Sequence, residues 1–207
     1  EYLAALELDP EAPTAHYNLA NFLATHALDM AVDEYRASLA LDPEHPDTHL
    51  NLGLTLADQG KPDEAERALR TAVELAPKDP YPRHELAALQ MDSGDYRDAI
   101  TQLKEVVRLE PESFEAWLDL GICYAQKGFY AESERAYGKA RALKADDVLL
   151  HYNSAALYAL WGRPTQALEN LAAALASDPA RVKGWLQADR MFESLEGLPE
   201  YEALVRR

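Results

Sequence analysis

Residues 114–147 read FEAWLDLGICYAQKGFYAESERAYGKARALKADD, and this stretch decides the fold. Gly128 divides it, and a glycine just past a helix takes the left-handed cap conformation with least strain, so helices are predicted over 115–127 and 131–143. Working outward, Gly60, Gly94, Gly128 and Gly162 stand 34 residues apart, and Pro77 and Pro111 repeat the same step. Leu52, Leu86 and Leu120 share one register, while Ala31, Ala65, Ala99 and Ala167 share another. Such a period marks a stack of helical hairpins, because each hairpin cannot bury its apolar face alone. Five repeats follow, at 13–45, 46–79, 80–113, 114–147 and 148–181, the first of them one residue short.

The order Trp117, Leu120-Gly121, Tyr124, Tyr137 and Ala140, with Ser133 in the small-residue place and Ala145 in place of the usual proline, resembles the tetratricopeptide repeat. The resemblance runs over almost the whole chain. It implies an all-α solenoid, a right-handed superhelix of antiparallel helix pairs without β-strands. Gly53 and Gly121, with Ala20, Ala87 and Ala155 in the same register, remove bulk where the two helices of a hairpin approach. Pro43, Pro77, Pro111 and Pro179 end the second helices, and Pro62 and Pro164 begin them. The remaining helices are predicted at 13–25, 29–41, 47–59, 63–75, 81–93, 97–109, 148–161 and 165–177. The turn Thr25 to Met30 lacks the glycine, which predicts a tighter or distorted first hairpin. Gln90 and Ser154 replace larger apolar residues and predict softer packing.

Pro10 lies in the helix-ending register, so residues 1–12 are expected to be a partial repeat, second helix only, with Leu3, Leu6 and Leu8 packed on the first repeat. Its open edge offers a route to self-association. Residues 182–207 start with Trp185 in the register of Trp117, then lose the glycine and proline, and are expected to form a degenerate capping repeat. Phe192, Leu195, Leu198, Tyr201, Leu204 and Val205 would be its buried stripe. Location is left open by the mid-repeat start, with the cytoplasm favoured and a leader, anchor or catalytic domain before Glu1 allowed. The Ala- and Arg-rich composition points to a bacterial source.

The net charge of −16 is concentrated toward the N-terminus and opposes binding to nucleic acid or anionic membranes, which need clustered Lys or Arg. No apolar run reaches the roughly 18 residues that insert into a bilayer. Cys123 is expected to be a buried structural thiol. His16, His49 and His151 share the register of Trp117 and Trp185 and are read as packing substitutes rather than metal ligands. His45 and His49 lack a third ligand. No nucleophile, base and orienting group converge, so no catalytic residues and no cofactor are expected.

In the resembled family the first helix of each repeat lines the ligand-binding surface. That implies a peptide-binding row at Asn18, Asn51, Glu85, Asp119 and Asn153, incompletely similar to the asparagine ladder of the glycosyltransferase that adds O-linked N-acetylglucosamine. An amide side chain there would pair with any peptide backbone. Beside it run Tyr17, Leu50, His84, Leu118 and Tyr152, flanked by Asn21, Leu54 and Ile122, with Leu149 at the last repeat. The carboxylate clamp of the chaperone-binding members keeps only Asn21 and Asn51, which excludes recognition of a C-terminal carboxylate. The expectation is a non-enzymatic scaffold that holds a basic or apolar segment of a protein partner in its concave groove. The alternative is a recognition or dimerisation arm of a larger enzyme. Trp161 is expected beneath the capping segment, and Leu149 and Tyr152 against a partner.

Overall fold

The computed structural model describes residues 8–205. Ten helices form five antiparallel pairs: α1 (Pro13–Leu23) with α2 (Leu28–Leu41), α3 (Pro46–Asp58) with α4 (Pro62–Leu75), α5 (Pro80–Asp92) with α6 (Tyr96–Leu109), α7 (Phe114–Gln126) with α8 (Tyr130–Leu143), and α9 (Val148–Leu160) with α10 (Pro164–Ser177). Among the described residues there is no strand. The predicted boundaries hold to within two residues. The largest departure is α1, which stops at Leu23 instead of 25. Ala27 there takes φ −146°, ψ 68°, and no positive-φ glycine closes the turn, so the shortened loop is met by unwinding the helix. In the other four pairs Gly60, Gly94, Gly128 and Gly162 sit at φ between 71° and 80°, the conformation that frees the helix end at least cost.

Two units are described separately, Glu1–Glu110 and Pro111–Arg207. In each, the second helix of a pair buries its Ala and large apolar residues against the first: Ala31, Tyr35, Ala65 and Leu69 in unit one, Ala136, Tyr137, Ala167 and Leu171 in unit two. Proline at the start of α1, α3, α4, α5 and α10 removes an amide hydrogen that would have no acceptor anyway. The repeated ring at His16, His49 and Trp117 has a definite task. His16 Nε2 lies 3.1 Å from the Pro10 carbonyl, His49 Nε2 2.8 Å from that of Pro43, and Trp117 Nε1 donates to that of Pro111 at 2.8 Å. Each ring thereby closes the turn that enters its repeat, which packing alone did not predict.

Gln90 and Ser154 also differ from expectation. Both are buried, and each is tied to the preceding repeat: Gln90 Nε2 donates to Glu66 at 3.1 Å, and Arg141 donates to Ser154 Oγ at 3.2 Å. They are polar cross-links between repeats, with Gln90 Oε1 left buried without a hydrogen-bond partner among the described residues.

After α10 comes α11 (Pro179–Ala188), an extended strap, a 3-10 turn at Glu193–Leu195 and the short α12 (Pro199–Val205). A full second helix is prevented by Gly197 at φ 82° and Pro199 two residues later. Phe192 and Leu195 are fully buried, and Leu198, Tyr201 and Leu204 pack half-buried on the same core, as the capping stripe requires; Val205 is half-buried. Leu3 and Leu6 lie outside the described residues, and Leu8 is exposed.

Candidate functional site: the first-helix face

In unit one the first helices α1, α3 and α5 carry the predicted row. Asn18 is exposed. Asn51 is half-buried and spends its amide hydrogens internally, donating to Tyr17 Oη at 3.2 Å and Asn21 Oδ1 at 3.0 Å. Asn21 Oδ1 also accepts from the Tyr35 hydroxyl at 2.6 Å. Burial pushes the Tyr35 phenol up to about 12, so it stays a donor at any working pH. Asn21 and Asn51 therefore join adjacent repeats, Asn51 with both amide hydrogens and Asn21 with its oxygen. Leu54 is half-buried against the core around Leu50, Leu69 and Leu86. Leu50 itself is inside that core and cannot touch a ligand. His84 and Glu85 are half-buried, and Tyr81, one turn from Glu85, is half-exposed. Burial and the nearby Glu85 carboxylate raise the Tyr81 phenol above its ordinary value.

In unit two, Leu118 is likewise core, while Asp119, Ile122, Leu149 and Asn153 are half-buried. Ile122 and Leu149 pack on the cluster of Phe114, Leu118 and Leu150. The expectation for Tyr152 is overturned, and that for Trp161 holds in part, since it packs half-buried on the cluster that includes Phe192 and Leu195 of the capping segment. Tyr152 is only 5% exposed: its hydroxyl donates to Asp189 Oδ2 at 2.9 Å, and its ring lies 4.9 Å from Trp185 and 5.3 Å from Phe192. The strap crosses this face of α9, with Ser194 Oγ donating to the Ala159 carbonyl at 3.2 Å. Trp161 is half-buried, stacked on Tyr158 with ring centres 6.4 Å apart, beside Tyr130 at 5.8 Å, and covered by the Arg163 guanidinium at 3.5 Å. The apolar face of α9 is filled by the chain's own strap, which follows the inner face of the helix where the sequence pattern suggested it would reach only its end.

The first helices are poor in cations. The five first helices carry Asp47, Asp58, Glu85, Asp92, Glu115 and Asp119 against one cation, Arg83, whose Nη1 is turned to Gln102 on α6 at 3.2 Å. The other unit-one cations lie on second helices and turns. Asp58 and Asp92, both exposed, are the last residues of α3 and α5, where the helix dipole disfavours a carboxylate. The sequence reading missed these two. Their signal was an acid in the last turn of a first helix, in successive repeats.

Among the described residues no other cluster gathers catalytic or metal-binding groups. Cys123 is buried, and burial with the nearby Asp119 pushes its thiol up to about 12, which leaves no thiolate to act as nucleophile. His45 Nδ1 accepts from the Thr48 amide at 3.2 Å and His49 is held by Pro43, so the two do not converge on a metal. Among the described residues no group of three His, Cys, Asp or Glu could hold a metal ion, and no helix is long and apolar enough to cross a membrane.

Stacked helix pairs on a 34-residue period, with side chains of one helix per pair presented on a common face, define a helical-repeat scaffold. Two family models described as tetratricopeptide repeat match residues 22–89 and 84–148, together more than half of the sequence. The chain belongs to the tetratricopeptide-repeat family, and by fold it is a scaffold for protein–protein interaction. It is 30% identical over 91 residues to Superkiller protein 3 of Schizosaccharomyces pombe, a match that covers 44% of this chain and 7% of that protein. The chain thus spans a small fraction of that relative. Among solved structures, YrrB, described as a TPR protein with an unusual peptide-binding site, superposes with a TM-score of 0.77 at 22% identity, over 86% of this chain and 92% of that one. MamA from Desulfovibrio magneticus RS-1 gives 0.76 at 16% identity, over 82% and 96%. At these identities the likeness is one of fold.

Proposed function

We propose that the chain is a non-enzymatic scaffold whose unit-one first-helix face binds a basic segment of a protein partner, with Asn18, Leu54, Glu85, Asp58 and Asp92 as its contacts. The observation that carries this reading is the placement of the cations: the unit-one first helices set four carboxylates against Arg83 alone, while the second helices mix their carboxylates with Arg side chains that pair with them. Two of those carboxylates stand where each costs its helix about 0.3–1 kcal/mol through the dipole, and residues kept at the expense of stability commonly serve a surface role. Tyr17, Asn21 and Asn51 act beneath them by holding α1 and α3 in register. Asp119, Ile122, Leu149 and Asn153 are a second, smaller patch in unit two, bounded by the strap. An arm of a larger enzyme would use the same surface and differ only in what is attached to it.

The reading is tested by adding a Lys- and Leu-containing peptide, and its Glu-containing counterpart, to isotope-labelled protein and following backbone amide shifts. Shifts confined to α1, α3 and α5 with the Lys peptide alone are expected. Shifts on the second helices, or equal shifts with both peptides, would overturn it.

A further inference from the structure

Unit two has a second receptive surface on the opposite helix of the last repeat. A groove of about 600 Å³ runs between α10 and α12, floored by Leu168, Ala172, Leu198 and Leu204. Among the described residues the charged side chains along it are Glu169 and Glu200, both exposed. Its length is set by α10: Pro164 to Ala172 covers about 12 Å at ~1.5 Å per residue, or about two turns. That matches a partner helix that lays side chains i, i+3, i+4 and i+7 into a groove.

The wall formed by α12 is unfinished. This helix has seven residues, none fully buried, and so short a helix is marginal unless tertiary contacts hold it. Leu198 and Leu204 pack on the core with one side and face the groove with the other. An occupant would complete the burial of α12. Charge decides its nature. Its described rim carries two carboxylates, and a second copy of this chain, at net −16, would bring like charge to them.

We propose that the α10–α12 groove docks a short amphipathic helix of another protein, whose apolar stripe is flanked by Lys or Arg. The surface is independent of the first-helix face and lies on different helices.

The probe is a designed helix of about 14 residues with Leu at i, i+3, i+4 and i+7 and Lys on its flanks, beside a version with Glu flanks. Anisotropy with the 207-residue chain is expected to show the Lys helix binding at least about tenfold tighter than the Glu helix at ~0.02 M salt, where rim charges are little screened. Amide exchange in α12 should slow on binding. Thr165→Trp, which fills the groove from an exposed position, should abolish that slowing, and Glu169→Lys with Glu200→Lys should make the Glu helix the one that slows α12. Because the first-helix face takes a Lys-bearing peptide by itself, exchange in α12 is the readout specific to this groove. Unchanged exchange in α12 at about 1 mM Lys helix would overturn the proposal. So would slowing in α12 that persists in Thr165→Trp, or a dimer in sedimentation that Thr165→Trp dissociates.

Discussion

Gly121→Ala probes the tightest site among the described glycines. A Cβ built at Gly121 meets the ring of Tyr137, which is fully buried in α8 and has no room to turn, while the Gly121 carbonyl accepts from Ser133 Oγ at 2.8 Å and fixes the backbone. Overpacking of this kind costs about 1–3 kcal/mol, and a clash with a rigid ring belongs at the upper end. Replacing a helical glycine by alanine returns about 1 kcal/mol, so the net loss is about 2 kcal/mol. Gly138 supplies the contrast. It is exposed in the middle of α8 with nothing within 4 Å of a built Cβ, so Gly138→Ala should gain about 1 kcal/mol. The gap of about 3 kcal/mol corresponds to roughly 6–12 °C between the two melting temperatures for a chain of this size. Tyr137→Leu added to Gly121→Ala should recover most of the loss, because Ala87 with Leu103 and Ala155 with Leu171 already occupy those registers. Thermal melts by circular dichroism read all three. Equal stabilisation by Gly121→Ala and Gly138→Ala would refute the close-approach reasoning.

His16 faces two acceptors, Glu34 Oε2 from Nδ1 at 2.6 Å and the Pro10 carbonyl from Nε2, an arrangement that satisfies both only when the ring is protonated. Burial lowers its pKa, but the Glu34 and Pro10 contacts outweigh that and raise it overall, so its stabilisation is complete below about pH 6.5 and is lost as the pH climbs through the higher folded value. His16→Gln should therefore be less stable than the parent at about pH 5.5 and close to it at about pH 8.5, read by urea midpoints; a constant difference would contradict this. Phe192→Ala should cost about 3–5 kcal/mol, as large aromatic deletions from cores do, whereas Trp161→Ala should cost distinctly less because one face is covered only by Arg163. Equal losses in parallel melts would restore Trp161 to the buried core.

Much of the fold could be read from residues that act on the backbone. The glycines at 34-residue spacing and the prolines at helix boundaries specify local geometry whatever surrounds them, which is why helix ends came within two residues. What escaped the sequence depends on side-chain direction. Leu50, Leu118 and Tyr152 share a register with Tyr17 and His84, yet the first three turn into the core while the others stay half-exposed. The strap over α9 escaped because its anchors, Asp189, Phe192 and Ser194, lie beyond the last regular repeat, where no period predicts their course. The internal use of the Asn51 amide was likewise invisible, since it depends on Tyr17 and Asn21 one repeat earlier.

The most direct measurement is a paired one on Asp58→Lys with Asp92→Lys: melting temperature, and affinity for a Lys-rich peptide as a function of salt. Relief of two unfavourable dipole contacts should raise stability by about 0.6–2 kcal/mol in all, while affinity falls and its salt dependence flattens. Stability and binding would then move in opposite directions. A stabilised protein with unchanged affinity and salt slope would show that the carboxylates serve only solubility, and would remove the first-helix face as the binding surface.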